Sequence, residues 1–217
     1  MKPRIKICCI ASEFEATTVI SRGASAIGLV GKMPSGPGPI SDELIRTIAA
    51  SVPPPVATFL LTSEQTPSGI IGHHHRTKTN TIQIVDELEG RAYEVIRAEL
   101  PNVKLVQVIH VVGERSVDEA AEIAPHVDAI LLDSGNPELA VKELGGTGRR
   151  HDWTLSRKIV ETCGKPVFLA GGLNAENVRE AIEVVHPFGV DICSGVRTDG
   201  ILDVKKLDAF LHVAETS

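Results

Sequence analysis

The sequence predicts an α/β fold of the (β/α)8 TIM-barrel type, and three observations carry that expectation. Short runs rich in Val, Ile and Leu recur at intervals near twenty-five residues. Stretches with apolar residues at helical spacing follow them, the signature of repeated βα units. Eight such runs can be counted, and eight units close a barrel more naturally than they extend an open sheet. At 217 residues the chain lies near the lower end of the size range for one barrel, and no linker divides it, so a single domain over residues 1–217 is expected.

Taken in order, the expected strands are Ile5 to Ile10, Ala26 to Val30, Val56 to Leu61, Thr81 to Val85, Lys104 to Ile109, Ala129 to Leu132, Pro166 to Ala170 and Gly189 to Ile192. Each is a short apolar run bounded by turn residues, as strands covered on both faces require. Helix starts are signalled at Ser41 ahead of Glu43 and Leu44, at Ser116 ahead of Val117-Asp118-Glu119, and at Asn174 ahead of Ala175-Glu176-Asn177. The last helix, near Asp203 to Val213, carries Val204, Leu207, Phe210 and Leu211 at three-and-four spacing, a stripe able to cover the final strand. The segment Thr62 to Asn80 is the weakest, because Pro67, Gly69, Gly72 and His73-His74-His75 dilute the helical pattern, and a short, poorly formed third helix is expected there. Three consecutive histidines point about 100° apart on a helix, so they read as a solvated surface rather than a metal site.

Composition narrows the function. A net charge of −6 argues against nucleic acid or an anionic membrane as partner, since both need a basic face. Aromatic residues at 3% remove the stacking platforms of a single-strand binder. No run of eighteen apolar residues and no leader pattern is visible, so a cytoplasmic location is expected. The four cysteines, Cys8, Cys9, Cys163 and Cys193, lack metal-site spacing, and adjacent Cys8 and Cys9 are poorly placed for a disulfide, which fits reduced thiols.

In a barrel of this kind the reactive groups stand where strands pass into loops. The two-residue period of the first strand puts Lys6 and Cys8 on one face and Cys9 on the other, so one cysteine alone is expected to face the axis. Lys6 itself is open to either a functional or a snorkelling role. Asp133 ends an otherwise apolar sixth run, where packing alone would not select a carboxylate. After the seventh and eighth runs, Gly171-Gly172-Leu173-Asn174 and Ser194-Gly195-Val196 offer amides to an anion, the recurrent phosphate site of the fold. The stretch Gly145 to Trp153, with Arg149, Arg150 and the single tryptophan, reads as a flap with Arg149 as its ligand contact. His151, Asp152 and Trp153 read as the start of the sixth helix.

These residues, in this order, resemble phosphoribosylanthranilate isomerase over nearly the whole chain. The family's Lys-Ile-Cys-Gly appears as Lys6-Ile7-Cys8-Cys9, its Leu-Leu-Asp as Leu131-Leu132-Asp133, and its glycine-rich flap as Gly146 to Trp153; Gly172-Leu173-Asn174-Ala175-Glu176-Asn177 and Pro187-Phe188-Gly189-Val190-Asp191 match as well. The resemblance implies Cys8 as general base and Asp133 as general acid of an Amadori rearrangement. Gly171, Gly172, Asn174, Ser194 and Gly195 are then expected around the phosphate, and Arg149 and Arg197 are read beside them as candidate binding cations. It implies no cofactor, no metal, a phosphorylated small-molecule substrate, and a monomer or homodimer. Three departures stand out. The arginine that grips the anthranilate carboxylate falls at about Gly38, with Lys32, Arg76 and Arg197 as candidate replacements; the histidine of Gln-Leu-His-Gly falls on Val85; and Arg197 stands where glutamate is usual. They leave open a related isomerase or lyase acting on a different phosphorylated sugar or amine, and a non-catalytic phosphate-ligand binder.

Overall fold

The computed structural model describes residues 2–88, 91–135 and 150–216. Eight parallel strands form a closed barrel: β1 (Arg4–Ile7), β2 (Ala26–Val30), β3 (Ala57–Thr62), β4 (Thr81–Ile84), β5 (Lys104–His110), β6 (Ala129–Asp133), β7 (Val167–Leu169) and β8 (Gly189–Ile192). Closure is made by β1, which pairs with β2 through Lys6↔Ala26 and with β8 through Lys6↔Asp191. The surrounding helices are α1 (Glu13–Ser21), α2 (Asp42–Ser51), α3 (Pro67–Thr77), α4 (Ala92–Glu99), α5 (Arg115–Ile123), α6 (Trp153–Thr162), α7 (Val178–Val185) and α8 (Val204–Glu215). A two-stranded hairpin, β9 (Arg197–Thr198) with β10 (Ile201–Leu202), precedes α8. No helix among the described residues is long and apolar enough to cross a membrane.

Strand alternation sorts the apolar residues into two layers. Ile27, Leu29, Leu60, Ile82, Ile84, Ile130 and Leu132 face the helices and pack with residues such as Ile45, Ile70 and Phe210. Ala26, Val30, Phe59, Val106, Val108, Leu131 and Phe168 fill the barrel interior, where Phe59 and Phe168 meet edge to face at 5.8 Å. Few aromatics are needed, because β-branched side chains alternating in and out fill a barrel of this size.

Helix ends follow the expected capping chemistry in part. Ser41 Oγ accepts the Leu44 amide at 3.2 Å and Asp152 accepts that of Thr154 at 2.8 Å, so both cap as read. Ser116 does not cap. It lies buried within the first turn of α5, where its Oγ donates to the His110 carbonyl and accepts from Val112, tying the end of β5 to the helix. Asn174 is likewise displaced: its Oδ1 accepts the amides of Glu176 and Asn177 in a turn ahead of α7, which begins at Val178.

The third helix is a full eleven residues rather than a fragment. Thr66 Oγ1 accepts the Gly69 amide at 3.1 Å and Pro67 occupies the first turn, where its missing N–H costs nothing. Nor is the triple histidine a solvated surface. His73 Nδ1 bonds Thr62 Oγ1 at 2.9 Å and His74 Nε2 bonds the Thr79 carbonyl at 2.8 Å, both rings being buried; only His75 is exposed. His73 Nδ1 and His74 Nε2 find partners on the end of β3 and the loop after α3, which packs residues of weak helix propensity against the barrel.

Candidate active site

The C-terminal mouth of the barrel holds a cavity of about 710 Å³, counting its opening to solvent. Cys8 and Cys9 enter from β1, Asp133 from β6, Gly171 and Gly172 from the loop after β7, and Cys193 and Ser194 from the end of β8. The strand ends that the sequence singles out for chemistry thus converge on one space, with Met33, Ser35 and Pro37 of the loop after β2 forming the opposite wall.

Both adjacent cysteines reach this cavity, contrary to the alternation argument. The strand ends at Ile7, and Cys9 takes a left-handed conformation at φ 62°, which turns its side chain back toward the mouth. Its Sγ lies 3.7 Å from the Pro37 carbonyl oxygen. The Cys9 thiol donates to Cys8 and thereby holds the Cys8 thiol below the ordinary cysteine range; burial opposes this, and the Lys6 ammonium adds to it. Cys9 is itself pushed well up by its thiol neighbours Cys193 and Cys8 and by burial, so it stays protonated. One thiol is therefore the more readily ionised while the next serves as its donor. Cys163 is remote, bonded to the Lys165 carbonyl behind α6.

Asp133 closes β6, half-buried, with one carboxylate oxygen accepting the Ser134 amide at 2.7 Å. His151 stands close by. Burial pushes it down to about 4, against the pull of the Asp133 carboxylate, so it is a neutral imidazole whose Nε2 is fixed by Ser156 Oγ at 2.7 Å. Arg150 stacks on the Trp153 ring at 3.5 Å and bridges to Glu180, which keeps its charge outside the cavity. Trp153 packs buried at the start of α6. Arg149, expected as a flap contact, lies outside the described residues.

Gly171 and Gly172 both line the cavity and take positive φ, at 83° and 64°, the left-handed region that favours glycine. Neither amide has a protein acceptor among the described residues. Ser194 lies on the opposing loop. Two other residues expected at the phosphate do not line the cavity. Asn174 spends its amide on Asn177 Oδ1 and its side chain on the turn it caps, while Gly195 packs against the Leu173 carbonyl and brings the two loops together.

Arg197 is a correction. Its guanidinium is buried between α1 and the hairpin, bonded to both carboxylate oxygens of Glu15 and to the carbonyls of Cys9 and Gly200. It braces the backbone behind Cys9 and does not line the cavity. Arg76 is equally committed, to Asp42 on the outer surface. Among the described residues no lysine or arginine lines the cavity, Lys32 included. At Gly38 the reason for the missing arginine is visible: φ is 84°, and a Cβ there would stand 2.7 Å from Cys9 Cβ. Cys9 and Gly38 occupy each other's space.

Asp191 and Gln83 escaped the sequence reading, and Lys6, open there between function and snorkelling, proves to be internal. Lys6 is fully buried and does not snorkel; its Nζ donates to Asp191 Oδ2 at 2.8 Å. Asp191 lines the cavity, and the signal was available, since a carboxylate inside the run Gly189-Val190-Asp191-Ile192 is as anomalous as Asp133. Gln83 also reaches the cavity, with its Oε1 buried and unpartnered among the described residues. A second concavity, beside the ends of β4 and β5, holds Asp86, Glu87, Asp118, Glu119 and Glu122 against Arg115. There burial and Glu87 push the Glu119 carboxyl to about 7, a field that would repel a phosphoester.

Comparison with known proteins agrees with this geometry. Residues 5–213 match the family model described as N-(5′-phosphoribosyl)anthranilate isomerase. The chain is similar to N-(5′-phosphoribosyl)anthranilate isomerase 2 of Methanosarcina mazei, 36% identical over 98% of this chain and 94% of the relative. Among solved structures it is similar to phosphoribosylanthranilate isomerase of Thermotoga maritima, with TM-score 0.83, 31% identity and coverage of 99% and 100%. The isomerase of Pyrococcus furiosus superposes with TM-score 0.82 at 27% identity, over 99% and 100% of the two chains.

Proposed function

The chain belongs to the N-(5′-phosphoribosyl)anthranilate isomerase family, an isomerase of tryptophan biosynthesis, and on that premise we propose that Cys8 and Asp133 carry out its proton transfers. The observation that carries the assignment is the convergence of a primed thiol, a carboxyl group and two glycine loops on one cavity.

The phosphate of N-(5′-phosphoribosyl)anthranilate sits against the Gly171, Gly172 and Ser194 loops, where amides rather than cations receive its charge. Asp133 gives its proton to the ribose ring oxygen as the bond from that oxygen to C1′ breaks, and the nitrogen lone pair forms the C1′=N iminium. The Cys8 thiolate then takes the C2′ proton, the electrons of that bond moving to C1′=C2′ and neutralising the iminium. The resulting enolamine tautomerises, C2′ becoming the ketone and C1′ gaining a proton. A thiolate suits this step because removal of a carbon-bound proton needs a base that is unprotonated at neutral pH.

A specific observation supports a second reading of the substrate. With Gly38 seated on Cys9 and no cation among the described residues lining the cavity, the anthranilate carboxylate has no charged partner among those residues. A phosphorylated aminoaldose with an uncharged substituent would then be taken as readily. Turnover of N-(5′-phosphoribosyl)anthranilate and of its carboxylate-free phenyl counterpart, each followed by loss of aminoaldose fluorescence, separates the two. A kcat/KM at least tenfold higher for the carboxylate-bearing compound supports the first substrate, equal values the second, and no turnover of either refutes the catalytic assignment.

A further inference from the structure

The proton transfers just described leave one charged pair without a task. Lys6, in the middle of β1, is fully buried, and its Nζ meets Asp191 Oδ2 across the β1–β8 seam at 2.8 Å. A buried ion pair adds little net stability, because desolvating two charges offsets most of their attraction, and apolar residues of similar size would fill the space as well. Its location is therefore the informative fact.

Gly28 of β2 defines that location. A Cβ at Gly28 would stand 2.7 Å from Cys8 Sγ and 3.2 Å from Lys6 Nζ, so thiol and ammonium press on the same point of the neighbouring strand. Lys6 Nζ also lies over the Phe59 ring, 5.1 Å from its centroid, within the interior of the barrel rather than in water. Screening by solvent is thereby reduced, and the Lys6 charge acts on the sulfur with the Asp191 carboxylate offsetting part of it.

We propose that Lys6 is a positioning residue for the isomerisation, its ammonium holding Cys8 as the thiolate while Asp191 keeps that ammonium charged. The proposal rests on the reading of Cys8 as the base. The titratable groups that face this sulfur or share its cavity are Lys6 on β1, Cys9 beside it, Asp191 and Cys193 from β8, and Asp133 from β6. Cys9 donates to the sulfur, Asp191 opposes its ionisation and Lys6 favours it, against the burial that would keep it neutral. Burial alone would drive Lys6 neutral; Asp191 and the Cys8 sulfur instead raise it above the ordinary lysine value. Lys6 and Asp191 are thus a relay of charge, in which the carboxylate serves the amine and the amine serves the thiol.

The test measures the thiol directly. The rate of Cys8 alkylation by iodoacetamide, resolved from the other cysteines by peptide mass spectrometry, is followed against pH in the parent, in Lys6→Met and in Lys6→Met/Asp191→Leu. The double variant leaves no unpaired buried charge, so it remains informative if Lys6→Met does not fold. The expected result is an alkylation midpoint raised by about one to three pH units in Lys6→Met, and raised by less in the double variant, which also loses the weaker opposing charge of Asp191. The acid limb of kcat, set by ionisation of the base, should move with it, so that the variants recover toward parent activity as pH rises. A midpoint that stays within about 0.3 pH units of the parent, too small for loss of an opposite charge at this range, overturns the proposal. That outcome leaves the catalytic reading standing, whereas a Cys8→Ser enzyme that still turns over removes the catalytic reading itself.

Discussion

Placing an arginine at position 38 should return a carboxylate clamp to the mouth, but only if Cys9 is reduced to glycine at the same time. In Gly38→Arg alone the new Cβ meets Cys9 Cβ at 2.7 Å, too close for any rotamer to relieve. The residue must also adopt φ 84°, which costs about 1–2 kcal/mol for a side chain other than glycine. Cys9→Gly removes the obstructing atoms and relieves a second left-handed residue, at φ 62°. A charge-assisted contact from the introduced guanidinium to the anthranilate carboxylate then contributes about 1.5–3 kcal/mol, or roughly ten- to a hundredfold in binding. The assay is steady-state KM for N-(5′-phosphoribosyl)anthranilate beside its carboxylate-free phenyl counterpart. KM rather than kcat is read, because loss of the Cys9 donor also raises the Cys8 thiol. Gly38→Arg should melt lower than the parent, and Cys9→Gly/Gly38→Arg should lower KM for the carboxylate-bearing compound alone. If the single variant is as stable as the parent and binds ten times tighter by itself, the steric argument is wrong.

Three further outcomes follow from the same geometry. Gly28→Ala should keep the fold yet lower kcat by at least tenfold, measured by steady-state turnover beside far-UV circular dichroism, because its methyl must displace the Cys8 sulfur or the Lys6 ammonium. Gly171→Ala, forced to φ 83° with His151 and Ser134 within about 3.2 Å of the new methyl, should weaken inorganic phosphate competition by several-fold in inhibition assays. Burial pushes the Glu15 carboxyl up, but Arg197 and the Ala11 amide more than offset it and hold it below its ordinary value. Its folded pKa being depressed, the stability it contributes is present above the unfolded carboxylate range and is lost as pH falls through the folded value. Thermal melts of the parent should therefore drop as pH descends below about 4, and those of Glu15→Gln should be lower at neutral pH, by about 3–5 kcal/mol for a broken buried pair, and flatter across that window.

The barrel was legible because its information is local. Strand runs such as Ala26 to Val30 and Gly189 to Ile192 show their bounds in the residues themselves, and Asp133 advertises itself as a carboxylate at the end of an apolar run. What escaped the sequence is set by partners far along the chain. Lys6 reads equally as a functional or a snorkelling lysine until Asp191, 185 residues away, closes the seam beside it. Arg197 reads as a ligand cation until Glu15, 182 residues earlier, takes its guanidinium. The third helix was hidden because its stability lies in the Thr66 cap and in the buried partners of His73 and His74, not in propensity. Cys9 was misassigned because a period-two argument holds only while the strand lasts, and β1 ends two residues before it.

Washout of label from substrate deuterated at C2′ bears most directly on the division of labour between thiol and carboxyl. The parent should release the deuterium to solvent as product forms, Cys8→Ser should lose that release by at least a hundredfold, and Asp133→Asn should lose it to a similar degree because the ring no longer opens. Release by Cys8→Ser at the parent's rate would mean that another group takes the proton, and the assignment of the base would fall.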